Sequence, residues 1–258
     1  MTWAGGSFGS RAECVLAPNP GIMTLDGTNT WVLREPGARR SVVVDPGPLD
    51  EAHLDAVAKV AGDVGAVLLT HGHADHSEGA RAFAERMGCG VRALDPQHRL
   101  GGEGLGDGDV VAVDGLEIRV VGTPGHTSDS LSFHLPADAA ILTGDTVLGR
   151  GTTVVAHPDG KLGAYLDSLQ RLHALAAARE AQSVWPGHGP VIDDALAALD
   201  HYLAHRRDRL EQVREAVRVL GPEASAREVV EHVYTDVDPV LWGAAELSVR
   251  AQLEYLRG

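Results

Sequence analysis

Leu68 to Gly79 reads LLTHGHADHSEG, which sets His71, His73, Asp75 and His76 within six consecutive positions. Imidazole nitrogen and carboxylate oxygen are donors that zinc accepts, with manganese and iron as competitors. Alternate residues of an extended turn face the same way, so His71 and His73 can share one cation while Asp75 and His76 face a second. Any one of these histidines alone reads as an ordinary polar residue. Four such groups on one turn would crowd and desolvate one another without benefit unless something cationic stands between them.

Three later segments repeat the arrangement of an apolar run that ends at a ligand-type residue: His126 in TPGHTSDS, Asp145 in AILTGDTVLG and His188 in WPGHGPVI. Strands that run into such loops would hold them rigidly. Asp45, at the end of SVVVDPG, either supports the ligands or caps a turn. Asn29 in LDGTNT either contacts substrate or belongs to a tight turn. Thr152 and Thr153 are substrate contacts on one reading and strand-packing residues on the other. His201 and His205 have the i, i+4 spacing of a helical metal pair, but the adjacent arginines oppose a cation. His205, Arg206 and Arg207 therefore read as a solvated or substrate-facing edge.

The order His71-x-His73-x-Asp75-His76, then His126, Asp145 and His188, resembles the metallo-β-lactamase superfamily. NPGIMTLDGTNTWVL, GDTVLGRGTTVV, YLDSLQRL, HYLAHRRDR and DPVLWGAAELSVRAQLEYL resemble its β-lactamase-like protein 2 branch, over nearly the whole chain. The resemblance implies an α/β fold, the four-layer αββα sandwich with a two-metal site at one edge, and a winged-helix-like helical part at the C-terminus. It implies two zinc ions. His71, His73 and His126 would hold the first, Asp75, His76 and His188 the second, and Asp145 would bridge them. Asp75 and Asp145 would serve catalysis by a metal-bridging hydroxide, which needs no serine or cysteine nucleophile. An aspartate at the bridging place is similar to the thioesterase, lactonase and phosphodiesterase branches, and unlike the antibiotic-hydrolysing enzymes.

Three functions follow from that resemblance. The first expectation is an endoribonuclease-like hydrolase of single-stranded RNA, with arginines between Arg206 and Arg214 on the phosphates. The second is a thioester or lactone hydrolase using the same centre. The third, a non-enzymatic binding protein, fits poorly with a full ligand set. A homodimer is common for such folds.

The elements that must position these residues are legible as apolar runs and amphipathic segments. Strands are predicted at 30–35, 40–47, 65–70, 91–94, 110–113, 117–121, 131–135, 139–142 and 182–185, with helices at 50–61, 77–88 and 162–178. From about Asp193 the pattern is helical, with breaks at Gly221 and Pro222 and a cap at Ser225. The expected division is a hydrolase domain over 1–195 and a helical domain over 196–258. With 258 residues and 44% hydrophobic content the chain can bury a large core. Its net charge of −14 argues against broad attraction to nucleic acid or anionic lipid. No apolar run is long enough to span a bilayer, and the N-terminus lacks a secretory pattern, so a cytoplasmic location is the default expectation. Cys14 and Cys89 have no metal or redox spacing.

Overall fold

A computed structural model describes residues 2–235 and 237–258. The chain opens with β1 (Gly6–Phe8), β2 (Ala12–Leu16), β3 (Asn29–Leu33) and β4 (Arg40–Val44). Helix α1 (Glu51–Ala61) leads to β5 (Asp63–Leu68), and α2 (Ala74–Ser77) and α3 (Ala80–Met87) lead to β6 (Val91–Arg92). These six strands form one mixed sheet in the order β1-β2-β3-β4-β5-β6. The second sheet takes β7 (Val110–Val113), β8 (Leu116–Gly122), β9 (Leu131–Leu135) and β10 (Ala140–Gly144). Helix α4 (Leu162–Ala177) crosses back to β11 (Ser183–Pro186), and the order is β11-β10-β9-β8-β7. Three helices complete the chain: α5 (Ala195–Leu220), α6 (Ala226–Val233) and α7 (Trp242–Arg257).

Side-chain alternation explains the layering. In β8, Leu116, Ile118 and Val120 point inward and meet Trp31, Leu33 and Val44 of the first sheet, so the sheets pack face to face. The other face of the first sheet buries Val43 and Val67 under Leu54, Val57 and Phe83 of α1 and α3. The other face of the second buries Ile141 and Val184 under Leu169, Leu172 and Leu199 of α4 and α5. The resulting order is helix, sheet, sheet, helix, which is the predicted four-layer sandwich.

Local departures have local causes. No strand is predicted before residue 30, yet β1 and β2 extend the first sheet, with Ala12 and Cys14 buried and Glu13 exposed between them. The predicted helix 77–88 is α3, which begins at Ala80 rather than at Ser77 because Gly79 separates it from the short α2 (Ala74–Ser77). A Cβ on Gly79 would lie 2.9 Å from the Pro48 carbonyl oxygen, and the Gly79 N–H bonds to Gly47 O, so only glycine permits this approach. Ser77 does not cap a helix and donates its hydroxyl to Gly72 O. Ser225 does cap α6, in a reciprocal pair with Glu228.

Helix α5 belongs to two cores. Its first half puts Leu199 and Tyr202 against Tyr165 and Leu169, while Val213 and Ala216 of its second half join Val229, Val230 and Val249 of α6 and α7. Among the described residues no helix is long and apolar enough to cross a membrane.

Candidate metal centre

Five strand ends deliver the site. β4 ends at Asp45, β5 at the loop bearing His71 and His73, β8 at the loop bearing His126, β10 at Asp145 and β11 at the loop bearing His188. Asp75 and His76 sit on the short α2 that follows the β5 loop. Strand and sheet contacts hold these ends, so seven side chains distant in sequence meet at one edge of the sandwich.

The donor atoms converge in two groups. His71 Nε2 and His126 Nε2 each lie 3.1 Å from His73 Nδ1. In the second group His76 Nε2 is 3.2 Å from His188 Nε2, and Asp75 Oδ2 is 3.1 Å from His188 Nε2. Asp145 stands between them, with Oδ1 3.4 Å from His76 Nε2 and Oδ2 3.4 Å from His188 Nε2 and 3.7 Å from His126 Nε2. His71, His76 and Asp145 also fall within the mutual reach of ligands to a single ion.

Hydrogen bonds on the far side of each ring fix which nitrogen faces inward. His126 Nδ1 donates to Val154 O at 2.7 Å, and His188 Nδ1 donates to Gly27 O at 3.1 Å. His76 Nδ1 donates to the Asp45 carboxylate at 2.9 Å. The Thr70 hydroxyl gives its one hydrogen to Asp45 Oδ2 at 2.6 Å, so it accepts from His71 Nδ1 at 3.0 Å. Four rings therefore turn Nε2 lone pairs toward the centre, and two of those lone pairs face each other across 3.2 Å. Such an arrangement is repulsive until a proton or a cation stands between the nitrogens. The Asp145 Oδ1 atom is buried and has no hydrogen-bond partner. This donor set fits two divalent cations of the zinc type, each held by three protein groups with a shared carboxylate.

Electrostatics tell the same story in protons. Burial opposes charge on His76 and His188. Asp145 nevertheless raises both, His76 well above its usual range with help from Asp45, and His188 to about 9. Burial, reinforced by the charge on His76, pushes His71 well down. Burial also opposes the Asp145 carboxylate, yet His188 and His76 hold it well below the usual range. Asp75 is lowered against burial by its hydrogen bond to His188. The field favours positive charge beside Asp145, where a cation would sit.

The supporting residues are only partly those the sequence suggests. Asp45 is a ligand-supporting residue: it is buried, and its Oδ1 also accepts from Thr70 N–H at 2.8 Å. Asn29, a predicted substrate contact, is fully buried, and its amide donates to Pro186 O and Gly189 O while accepting from Trp3 Nε1. With no free polar atom left for substrate, it fixes the loop that carries His188. Thr153 is likewise committed, its hydroxyl donating to Asp145 O at 2.7 Å. Thr152 is half-buried and lines a cavity beside the centre. Arg206, predicted at a solvated or substrate-facing edge, is buried, donates to Thr153 O and stands over the Tyr165 ring at 4.8 Å. Ser248 of α7 accepts from Val155 N–H at 3.2 Å. Segment 153–155 thus ties Asp145 and His126 to α5 and α7. Thr70, Val154 and Ser248 carry no local sequence signal for these roles, because their partners lie in distant parts of the chain.

From His126 and Asp145 a cavity of about 520 Å³ runs toward the C-terminal helices, past Leu25, Leu148, Thr152, Leu241 and Ala245. Ile22 and Met23, both about half exposed, stand at its wall.

Comparison with known proteins agrees with this geometry. Residues 23–224 match the metallo-beta-lactamase superfamily, and residues 225–257 match the beta-lactamase associated winged helix domain. A beta-lactamase-like protein 2 homolog of Caenorhabditis elegans is 34% identical over 94% of this chain and 82% of its own length. An atrochrysone carboxyl ACP thioesterase of Aspergillus fumigatus is 35% identical over 83% of this chain and 67% of its own. A beta-lactamase domain protein from Burkholderia ambifaria superposes with a TM-score of 0.80 at 24% identity, covering 98% of this chain and 87% of that one. The matched span, the two facing sheets and the clustered histidines and aspartates lead to one conclusion: the chain belongs to the metallo-beta-lactamase superfamily.

Proposed function

We propose that this protein is a metal-dependent hydrolase of a small-molecule carbonyl ester, with thioesters as the leading class. The observation that carries the reading is the cavity. It opens directly on His126 and Asp145, and Leu25, Leu148, Leu241 and Ala245 give it an aliphatic side. An aliphatic side of this kind suits an acyl group. The name borne by the Aspergillus fumigatus relative supports the same chemistry.

His71, His73 and His126 would hold one cation, Asp75, His76 and His188 a second, and Asp145 would reach both. Zinc-type cations held there supply Lewis acidity and an ionised water at neutral pH. Asp145 and Asp75 would orient the attacking water by accepting its hydrogen bond. Asp45 and Val154 O keep the imidazole protons of His76 and His126 on the outer nitrogens. The aliphatic wall positions the acyl chain and keeps bulk water from it.

Single-stranded RNA, the first expectation from sequence, has weaker support. Of the arginines assigned to phosphates, Arg206 is buried on Thr153 O and Arg214 is paired with Glu211, which leaves Arg209 on the cavity wall and no continuous basic track for a polymer among the described residues. The decisive experiment offers acyl thioesters and unstructured RNA side by side to the zinc-loaded protein and to an Asp75→Ala, His76→Ala variant. Thioester turnover that vanishes in the variant supports the proposal. RNA cleavage without thioester turnover refutes it.

A further inference from the structure

The cavity that opens on His126 and Asp145 has one face of α5 as a wall. His201, His205 and Arg209 recur there at i, i+4 spacing, with Arg206 between them. Asp145 is the one acidic residue on the described wall. Arg150, also on the wall, is neutralised by Asp26, whereas no ion pair forms between the α5 groups and an acidic side chain among the described residues. Arg206 is 4% exposed, and its Nε is buried without a hydrogen-bond acceptor. His205 Nδ1 is buried and unpartnered as well. Arg209 stands 4.2 Å over the Tyr234 ring and donates to the Val233 carbonyl at 3.4 Å.

Positive groups gathered in an apolar space without a counter-charge are costly unless an anion joins them. The imbalance shows in His205. Burial first, then Arg206, Arg209 and His201, push this imidazole down to about 4, against an opposing pull from Asp208. An anion on this face would relieve the repulsion and supply acceptors for the orphaned donors.

We infer that the α5 wall of the cavity is a subsite for a carboxylate or phosphate carried at the far end of the substrate. This rests on the carbonyl-ester reading above and narrows it. The preferred substrate is an acyl ester with an apolar body and an anionic group remote from the scissile carbonyl. His205 and Arg209 confer the specificity, Arg206 supplies buried charge, and the aliphatic wall takes the segment between the two ends.

The test reads binding without turnover. Linear α,ω-dicarboxylates of roughly six to twelve carbons, their ω-phosphono counterparts, and monocarboxylates of equal length are titrated calorimetrically into zinc-loaded protein, since a cavity of this kind selects by length and end group. The monocarboxylate controls for binding at the metal end. At one chain length the doubly anionic ligand should bind at least about tenfold more tightly than the monocarboxylate, whose extra contacts are purely apolar. Comparison of carboxylate with phosphonate identifies which anion the subsite takes. Arg209→Gln and His205→Gln should each remove most of the preference and leave monocarboxylate binding unchanged, while Arg209→Lys should keep part of it. Equal affinity for both ligand types at every length, or a preference that survives both glutamine variants, overturns the subsite. Absence of thioester turnover would overturn the ester reading alone, because the calorimetric comparison still decides the subsite.

Discussion

Asp45→Asn isolates what a single carboxylate does for the candidate metal centre. Three donors converge on it: Thr70 N–H on Oδ1, and the Thr70 hydroxyl and His76 Nδ1–H on Oδ2. Asparagine has the same shape, and it tolerates the left-handed backbone of residue 45, where φ is +50°. The backbone is therefore spared and the change is electronic. One amide oxygen cannot serve three donors. If it keeps Thr70 N–H, the amide nitrogen faces the hydroxyl and His76, and His76 must move its proton to Nε2. The Thr70 hydroxyl, now an acceptor from the amide, turns its hydrogen toward His71 Nδ1, and that ring also shifts its proton inward. Two of the proposed ligands would then present N–H groups to the cations. A lost partner behind one ligand typically lowers metal affinity about 10- to 100-fold, so with two rings affected the expected loss is about 100-fold, or about 2.7 kcal/mol. Competition with a chromophoric chelator measures it, and thermal melting in excess chelator checks that the variant is folded. A folded variant whose zinc affinity stays within about threefold of the parent would refute the reasoning, because ordinary context alone spans that range.

Other outcomes follow from the same geometry. Zinc must displace the protons favoured on His188, held at about 9, and on His76, so apparent affinity should rise with pH up to about 9. Calorimetry in buffers of different ionisation heat should find about one to two protons released per chain at pH 7, and none released would contradict the charge assignment. In chelator the raised His188 stabilises the fold below its unfolded value of about 6.5. That contribution should fade as pH rises through about 9, which melting curves across that window can follow. Gly187→Ala would place a Cβ 2.6 Å from Asp145 Oδ1 and 2.8 Å from His76 Cε1. Turnover and zinc affinity should fall at least about tenfold with little change in melting temperature, as expected when close packing displaces ligands by a fraction of an ångström; unchanged affinity would show that the ligands can yield. Ser248→Ala removes the acceptor for the buried Val155 N–H, at a cost of about 1–3 kcal/mol by denaturant titration, with weakened zinc binding through His126. A stability loss without any change in zinc affinity would uncouple α7 from the centre.

Much of the fold was readable because its signals are local. Alternation in β8 and helical spacing in α1 and α4 follow from which faces are buried. Strands β1 and β2 escape a sequence reading because they are short and lie in glycine-rich sequence, and β2 joins the sheet through β3, 13 to 21 positions along the chain. The late start of α3 at Ala80 is hidden because Gly79 is required by Pro48, a residue 31 positions earlier. At the site, Asn29 and Arg206 have side chains that suit substrate binding. Their partners, Pro186 and Gly189 for one and Thr153 for the other, turn both inward as supports.

The sequence by itself determined the chemistry on offer. Seven imidazole and carboxylate groups follow apolar strands in an order that resembles one superfamily, and donor type is a property of each residue that needs no neighbour. Only the tertiary structure decided how those groups are used. The inward-facing nitrogen of each ring depends on a hydrogen-bond partner elsewhere in the chain, as with His126 and Val154 or His188 and Gly27. The cavity likewise exists only because α5 and α7 close over the 145–155 loop, bringing His205 and Arg209 to a space that begins at Asp145. Ligand identity is local information, whereas proton position, charge balance and cavity shape arise from contacts between residues far apart in sequence.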